Sequence, residues 1–94
     1  MQKIIFSTEI KSEHGSKENK KLRKENKIPA ILYGKKESNV ALKIENKTFL
    51  QAYEDLEKSE IFLKIKEKIQ KVKIQNIQKH PAKGKILHID FLRL

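Results

Sequence analysis

The sequence predicts an α+β fold built as one domain, residues 1–94. Three observations carry this. Apolar residues alternate along several short runs, the period of a half-buried strand. One stretch, 47–58, instead spaces them like a helix. And 94 residues suffice for one core rather than two. Alternation leaves a small closed or half-closed barrel and a sandwich both open.

The elements follow in order. KIIFSTEIK (3–11) puts Ile4, Phe6, Thr8 and Ile10 on one face, an opening strand. SEHGSKENKKLRKENK (12–27) has almost no apolar residue. IPAILYG (28–34) is a short apolar run that Pro29 confines to an edge or a strand start. NVALKIE (39–45) alternates through Val40, Leu42 and Ile44. Asn46 is a suitable helix cap, and Phe49, Leu50, Tyr53 and Leu56 form the apolar face of the helix it would start. EIFLKIK (60–66) aligns Ile61, Leu63 and Ile65, and QKVKIQ (70–75) sets Val72 and Ile74 opposite Lys71, Lys73 and Gln75. These two runs predict a hairpin about residues 66–68, without the Gly or Asn usual in a tight turn. KHPAKGK (79–85) is a basic loop carrying Lys79, His80 and Lys83. KILHIDFLRL (85–94) predicts a last strand, with Leu87, Ile89 and Phe91 on one face and His88 and Asp90 on the exposed other.

Composition narrows the function. There is no cysteine, which excludes a disulfide framework and thiolate metal sites and fits a reducing compartment. The N-terminus lacks the apolar core of a signal peptide, and no run approaches the roughly 20 apolar residues that span a bilayer. A soluble, cytoplasmic monomer is expected. The net charge is +10, a field that attracts polyanions. Arg23 and Arg93 are the only arginines among 22 basic residues, so part of the charge is a general lysine bias. Its distribution is uneven, however. Residues 11–36 carry net +6 and 64–85 net +7, whereas 45–60 carry net −3. Uniform bias would not leave an acidic middle.

The segment 15–27 has one large apolar residue, Leu22. Its composition permits a helix, with Ser16 as cap. A helix polar all round does not dock on a core, and a dozen residues are marginal alone in water. The free protein is therefore expected to carry a frayed helix or solvated loop here. Lys17, Lys20, Lys21 and Lys24 follow i, i+3, i+4, i+7 spacing. These four gather into one stripe, and with Arg23 they suit neutralising a phosphate backbone.

His88 and Asp90 admit several roles. A zinc site needs three or four ligands. His80 is the only evident third, and a lysine-rich setting repels cations. No metal, cofactor or catalytic site is expected. Within a basic surface, a carboxylate accepts hydrogen bonds from guanine N2–H or a cytosine amino group. Tyr33 offers a ring for stacking on a base or ribose. The plain alternatives are a solvent-exposed polar pair on an edge strand for His88 and Asp90, and a core ring with its hydroxyl outward for Tyr33.

Three blocks, LRKENKIPAILYG (22–34), VKIQNIQKHP (72–81) and LHIDFLRL (87–94), closely resemble, in order and spacing, the bacterial large-subunit ribosomal protein twenty-five family. Its longer members include the Ctc general stress protein. The resemblance implies a small six-stranded, mostly antiparallel β-barrel with two to three flanking helices. It implies binding to the loop E region of 5S rRNA, mainly through the minor groove. It places RNA contacts on the basic helix, Tyr33, Gln75, His88 and Asp90. The family typically has Arg where this chain has Lys11, Lys20, Lys21 and Lys24. That exchange keeps phosphate attraction but removes the planar bidentate fork. Neighbouring ribosomal proteins are further candidate partners. The rival expectations are a non-specific or stress-associated nucleic-acid binder and, more remotely, a metal-dependent nuclease.

Overall fold

The computed structural model describes the backbone of residues 2–11 and 16–94, and the side chains of 2–11 and 19–94. Six strands close into a barrel: β1 (Gln2–Ile10), β2 (Lys27–Tyr33), β3 (Val40–Glu45), β4 (Ser59–Ile65), β5 (Lys68–Lys79) and β6 (Ile86–Arg93). The order around the barrel is β1-β3-β2-β6-β5-β4. Pairings β1/β4 and β2/β6 are parallel, and the other four are antiparallel. The α+β barrel is thus the architecture, and the sandwich is excluded. Helix α1 (Ser16–Lys24) follows β1. Helix α2 (Asn46–Ala52) and a 3₁₀ helix (Tyr53–Lys58) follow β3.

Alternation explains the interior. Phe6, Ile28, Ala30, Leu32, Leu42, Ile44, Ile61, Leu63, Val72, Ile89 and Phe91 are buried and form one cluster with Phe49 of α2. Phe6 and Phe49 meet with ring centroids 5.3 Å apart. A six-stranded barrel is too narrow to enclose more than side chains, so the outer surface is left for function. Pro29 lies where β2 pairs with β3 but not yet with β6, whose pairing begins at Ala30. There the missing N–H costs no ladder bond.

Several expectations are corrected. Leu87 does not share the core face. Lys79 pairs with Ile86 and Gln78 with His88, so Leu87 is the extra residue of a bulge and Ile86 takes the buried position. β5 runs on to Lys79 rather than ending near residue 75. It does so through a second bulge: Ile74 pairs with Phe91 and Asn76 with Asp90, leaving Gln75 unmatched. The bulge resets the two-residue period, so Ile77 packs on the core side with Val72 and Ile74.

The helix expected over 47–58 tightens into the 3₁₀ form after Ala52. Its cap position is Glu45, not Asn46. Thr48 Oγ1 donates to the Glu45 carboxylate at 3.0 Å. Leu50 lies outside the apolar face and is 49 % exposed, and Ile10 is exposed as well. The hairpin turn is Lys66–Glu67, with Lys66 holding φ 56° without glycine.

The largest correction concerns the basic segment. It is helical, and Leu22 is only 3 % exposed. α1 lies against β2. Among the described residues of α1, Leu22 is the one large apolar side chain, so a single buried leucine docks an otherwise polar helix on the outside of β2. Asn26, at φ 62°, ends the helix in the left-handed conformation that asparagine tolerates.

Candidate nucleic-acid interface

The outer surface of β5, β6 and β2 presents its side chains in rows. Gln78 stands beside His88. Asn76, Asp90 and Ile31 form the next row, and Lys73, Leu92 and Tyr33 the third. Same-face rows lie two residues apart, so the three span about 13 Å. Gln75, freed by its bulge, is exposed between the second and third rows. The parallel β2/β6 pairing therefore brings Tyr33 beside residues nearly 60 positions later. Gly34 follows Tyr33 at φ 110°, and a Cβ there would come within 2.8 Å of the Leu92 side chain.

His88 Nδ1 and Asp90 Oδ1 are 3.1 Å apart, both side chains about 30 % exposed. Their contact holds the imidazole with Nε2 available to a ligand, and the second carboxylate oxygen of Asp90 retains acceptor capacity. Among the described residues, no group of three or more His, Asp or Glu could hold a metal ion. His80 does not approach His88 as a third ligand. Its Nδ1 accepts from the backbone N–H of Ala82 and Lys83, both at 3.2 Å. The ring thereby fastens the 80–85 loop. His80 N–H to Lys85 O (2.7 Å) and Gly84 N–H to His80 O (3.1 Å) complete that loop.

The two basic segments converge beside this face. Arg23 Nη1 donates to Leu87 O at 3.3 Å, pinning α1 to the β6 bulge next to His88. Arg23, Lys24 and Lys27 on one side and His80, Lys83 and Lys85 on the other line a common cleft. Lys20, Lys21 and Lys24 are exposed along α1. The side chains of Ser16 and Lys17 lie outside the described residues, as does His14.

Two expected contacts are placed elsewhere. Lys11 is 8 % exposed. Its backbone N–H donates to Ala41 O at 2.8 Å and its ammonium donates to Asn19 Oδ1, so it ties β1 to α1. Lys79 points to the other side of β5, its ammonium 4.4 Å from the centre of the Tyr53 ring, a cation–π contact.

Sequence inspection passed over Asn76, Gln78 and Lys73, which share the rows of Asp90, His88 and Tyr33. The run Gln75-Asn76-Ile77-Gln78 was the available signal, since three amides in four strand residues are unusual for a surface that only needs solubility. Lys27 is partly neutralised: Glu9 Oε1 lies 2.9 Å away. The Lys27 hydrogen bond and the charges of Lys27 and Lys43 hold the Glu9 carboxyl below its ordinary value.

Known proteins bear on this arrangement. Residues 7–91 match the Ribosomal L25p family. The chain belongs to that family. As a Ribosomal L25p member it is a ribosomal protein with a structural rather than a catalytic role. Large ribosomal subunit protein bL25 of Buchnera aphidicola subsp. Acyrthosiphon pisum (strain Tuc7) is 37 % identical over 91 residues, covering 95 % of this chain and 96 % of the relative. The bL25 of Cronobacter sakazakii (strain ATCC BAA-894) is 38 % identical over 92 residues, covering 96 % and 98 %. Similarity of this extent runs through all six strands and both helices of the Ribosomal L25p fold described here.

Proposed function

We propose that this chain is a structural constituent of the large ribosomal subunit that docks on 5S rRNA. The basic helix and the 80–85 loop capture the phosphate backbone. The face bearing Tyr33, Gln75, His88 and Asp90 reads an irregular internal loop of the loop E type through its minor groove. An A-form minor groove is wide and shallow, and a barrel wall of three rows fits against it.

One observation supports this above the others. Asp90 sits at the centre of a polar face flanked by cations, beside Asn76 and in contact with His88. A carboxylate there weakens general attraction to phosphate. It is explained by hydrogen-bond donors on base edges, such as guanine N2–H. A surface serving only non-specific binding has no need of it.

Chemical footprinting of 5S rRNA with the purified chain tests the assignment. Protection confined to one internal loop and its adjoining helix is expected. Protection spread over the whole RNA, abolished in parallel with duplex DNA binding as salt rises, would mean non-specific association instead.

A further inference from the structure

We propose that the cleft between the end of α1, the 80–85 loop and α2 receives an unpaired RNA nucleotide, its base against Leu50 and its phosphates on the surrounding lysines. The proposal rests on the RNA-binding role above and adds to it a second contact, chemically distinct from base-edge reading on the barrel wall.

The cleft has a volume of about 610 Å³, within the range of pockets that hold small ligands. Among the described residues its charged lining is Arg23, Lys24, Lys27, Lys83 and Lys85, with no carboxylate. Of these cations Lys27 pairs with Glu9, which also approaches Lys43. The protein shapes this cleft rather than leaving lysines loose around it. His80 fastens the loop that presents Lys83 and Lys85, and Arg23 is tied to Leu87 O. Asn46 N–H donates to Asn26 O at 2.9 Å, joining the start of α2 to the end of α1.

A single exposed leucine is ordinary on a protein surface. Leu50 differs in its position. It is half-exposed on a short helix whose neighbour Phe49 is fully buried, and it lines this cationic cleft. A purely phosphate-binding surface has no use for an apolar group there. A base stacked within a duplex offers only its edges, so an apolar side chain among cations suits a base whose face is free. Asn26 and Asn46, also in the lining, supply amides for the edge of such a base. The parallel start of β2 and β6 sets this cleft at the His88 end of the reading face, so one RNA can reach both.

The chain has no cysteine, which allows a single tethered cleavage reagent. Iron–EDTA attached to Gln51→Cys, exposed beside Leu50 on α2 and outside the cleft lining, is expected to cut one short unpaired stretch of bound 5S rRNA. The same reagent on Lys73→Cys reports the barrel wall independently. Leu50→Ser is expected to weaken binding about fivefold, the loss of a modest apolar contact, with an unchanged salt dependence, because no charge is removed. Cutting from position 73 but not from 51 overturns the nucleotide site and leaves the RNA-binding role intact. Cutting from position 51 on both strands of a paired helix also overturns it, showing a duplex backbone in the cleft. Cutting from neither position removes the RNA-binding role and the cleft proposal together.

Discussion

Replacing Asp90 by Asn sets two effects of opposite sign against each other. The substitution keeps the side-chain shape and raises the net charge by one, so pure electrostatics favours tighter RNA binding. A phosphate about 7 Å from Asp90 interacts with it by roughly 0.6 kcal/mol at the dielectric constant of water. At 0.15 M salt, with a Debye length of about 8 Å, screening halves this roughly. Relief of repulsion is thus worth about 0.3 kcal/mol, less than a twofold gain in affinity. Against it stands the loss of a base-edge hydrogen bond. Asn keeps one acceptor oxygen but turns the other into an amino group, which confronts the base donor that the carboxylate accepted. Such a bond carries about 1–3 kcal/mol of discrimination. The expected net loss of about 0.7–2.7 kcal/mol weakens binding about threefold or more. Filter binding or titration calorimetry with 5S rRNA measures it, alongside a thermal melt to establish that the barrel is intact. Asp90 is only partly buried and, among the described residues, its ion-pair partner is His88, so little change in stability is expected. Equal or tighter binding would refute the base-reading role of the carboxylate.

Other consequences are equally measurable. Arg93 is nearly buried and donates to Gly34 O and Ser38 O, both at 2.8 Å, with Glu37 at 3.4 Å. Arg93→Met should destabilise the barrel by about 3 kcal/mol, two charge-assisted bonds with partial recovery by water. A loss under about 1 kcal/mol in urea titration would show that the 34–39 loop does not depend on it. Leu22→Ala should release α1 before the barrel unfolds, because this one side chain docks a helix otherwise polar. Hydrogen exchange should then show α1 amides losing protection while β2 and β6 keep theirs. Lys83→Gln together with Lys85→Gln should reduce the slope of log affinity against log salt by about 1.5, near 0.7–0.9 for each phosphate no longer neutralised. An unchanged slope would place the phosphates elsewhere. Glu9, whose carboxyl the hydrogen bond and charge of Lys27 and the charge of Lys43 hold below its ordinary 4.5, contributes stability at neutral pH. That contribution is fully present above the ordinary value and is lost as pH falls through the lowered one. The difference in urea midpoint between the native chain and Glu9→Gln should therefore close on acidification. A difference that persists at pH values around 2 would assign it to packing.

The strands were legible because a barrel wall demands alternation, and Phe6, Leu42, Leu63 and Phe91 occupy the positions their period predicts. Legibility failed where one residue broke that period. Gln75 and Leu87 are bulged, and a bulge inverts the parity of everything beyond it. Counting by twos from Phe91 put Leu87 inside, where Ile86 is found. Helix α1 failed for a different reason. Its burial depends on a partner surface, the outer side of β2, that exists only once the barrel has formed. No property of residues 15–27 alone announces that Leu22 will dock there. Lys11 and His80 illustrate a third limit. Their residue types suit RNA equally well, and only the folded chain shows Lys11 turned to Asn19 and His80 Nδ1 spent on its own loop. His88 and Asp90 were placed correctly because they lie between the two bulges, where the simple period still holds from residue 88 to the end of β6.

That position also explains why the candidate face sits where it does. A reading surface needs side chains whose spacing does not change when RNA arrives. Rows of a closed barrel meet this need, because every strand is paired on both sides and no free edge remains to shift. The bulges then adjust what a regular wall cannot. The one at Gln75 lifts an amide between two rows and keeps Ile77 in the core. The one at Leu87 turns its carbonyl to Arg23, fixing the basic helix beside His88. Both irregularities therefore serve two ends at once: each keeps the interior apolar and each places a polar group on the outer face. If the bulges serve this purpose, deleting Gln75 should cost more in RNA affinity than Gln75→Ala, because deletion also removes the bend and added twist that the bulge gives β5, while leaving Asn76 outward and Ile77 inward. Comparing the two variants for 5S rRNA binding at matched folded fraction tests this, and equal losses would reduce the bulge to a packing adjustment.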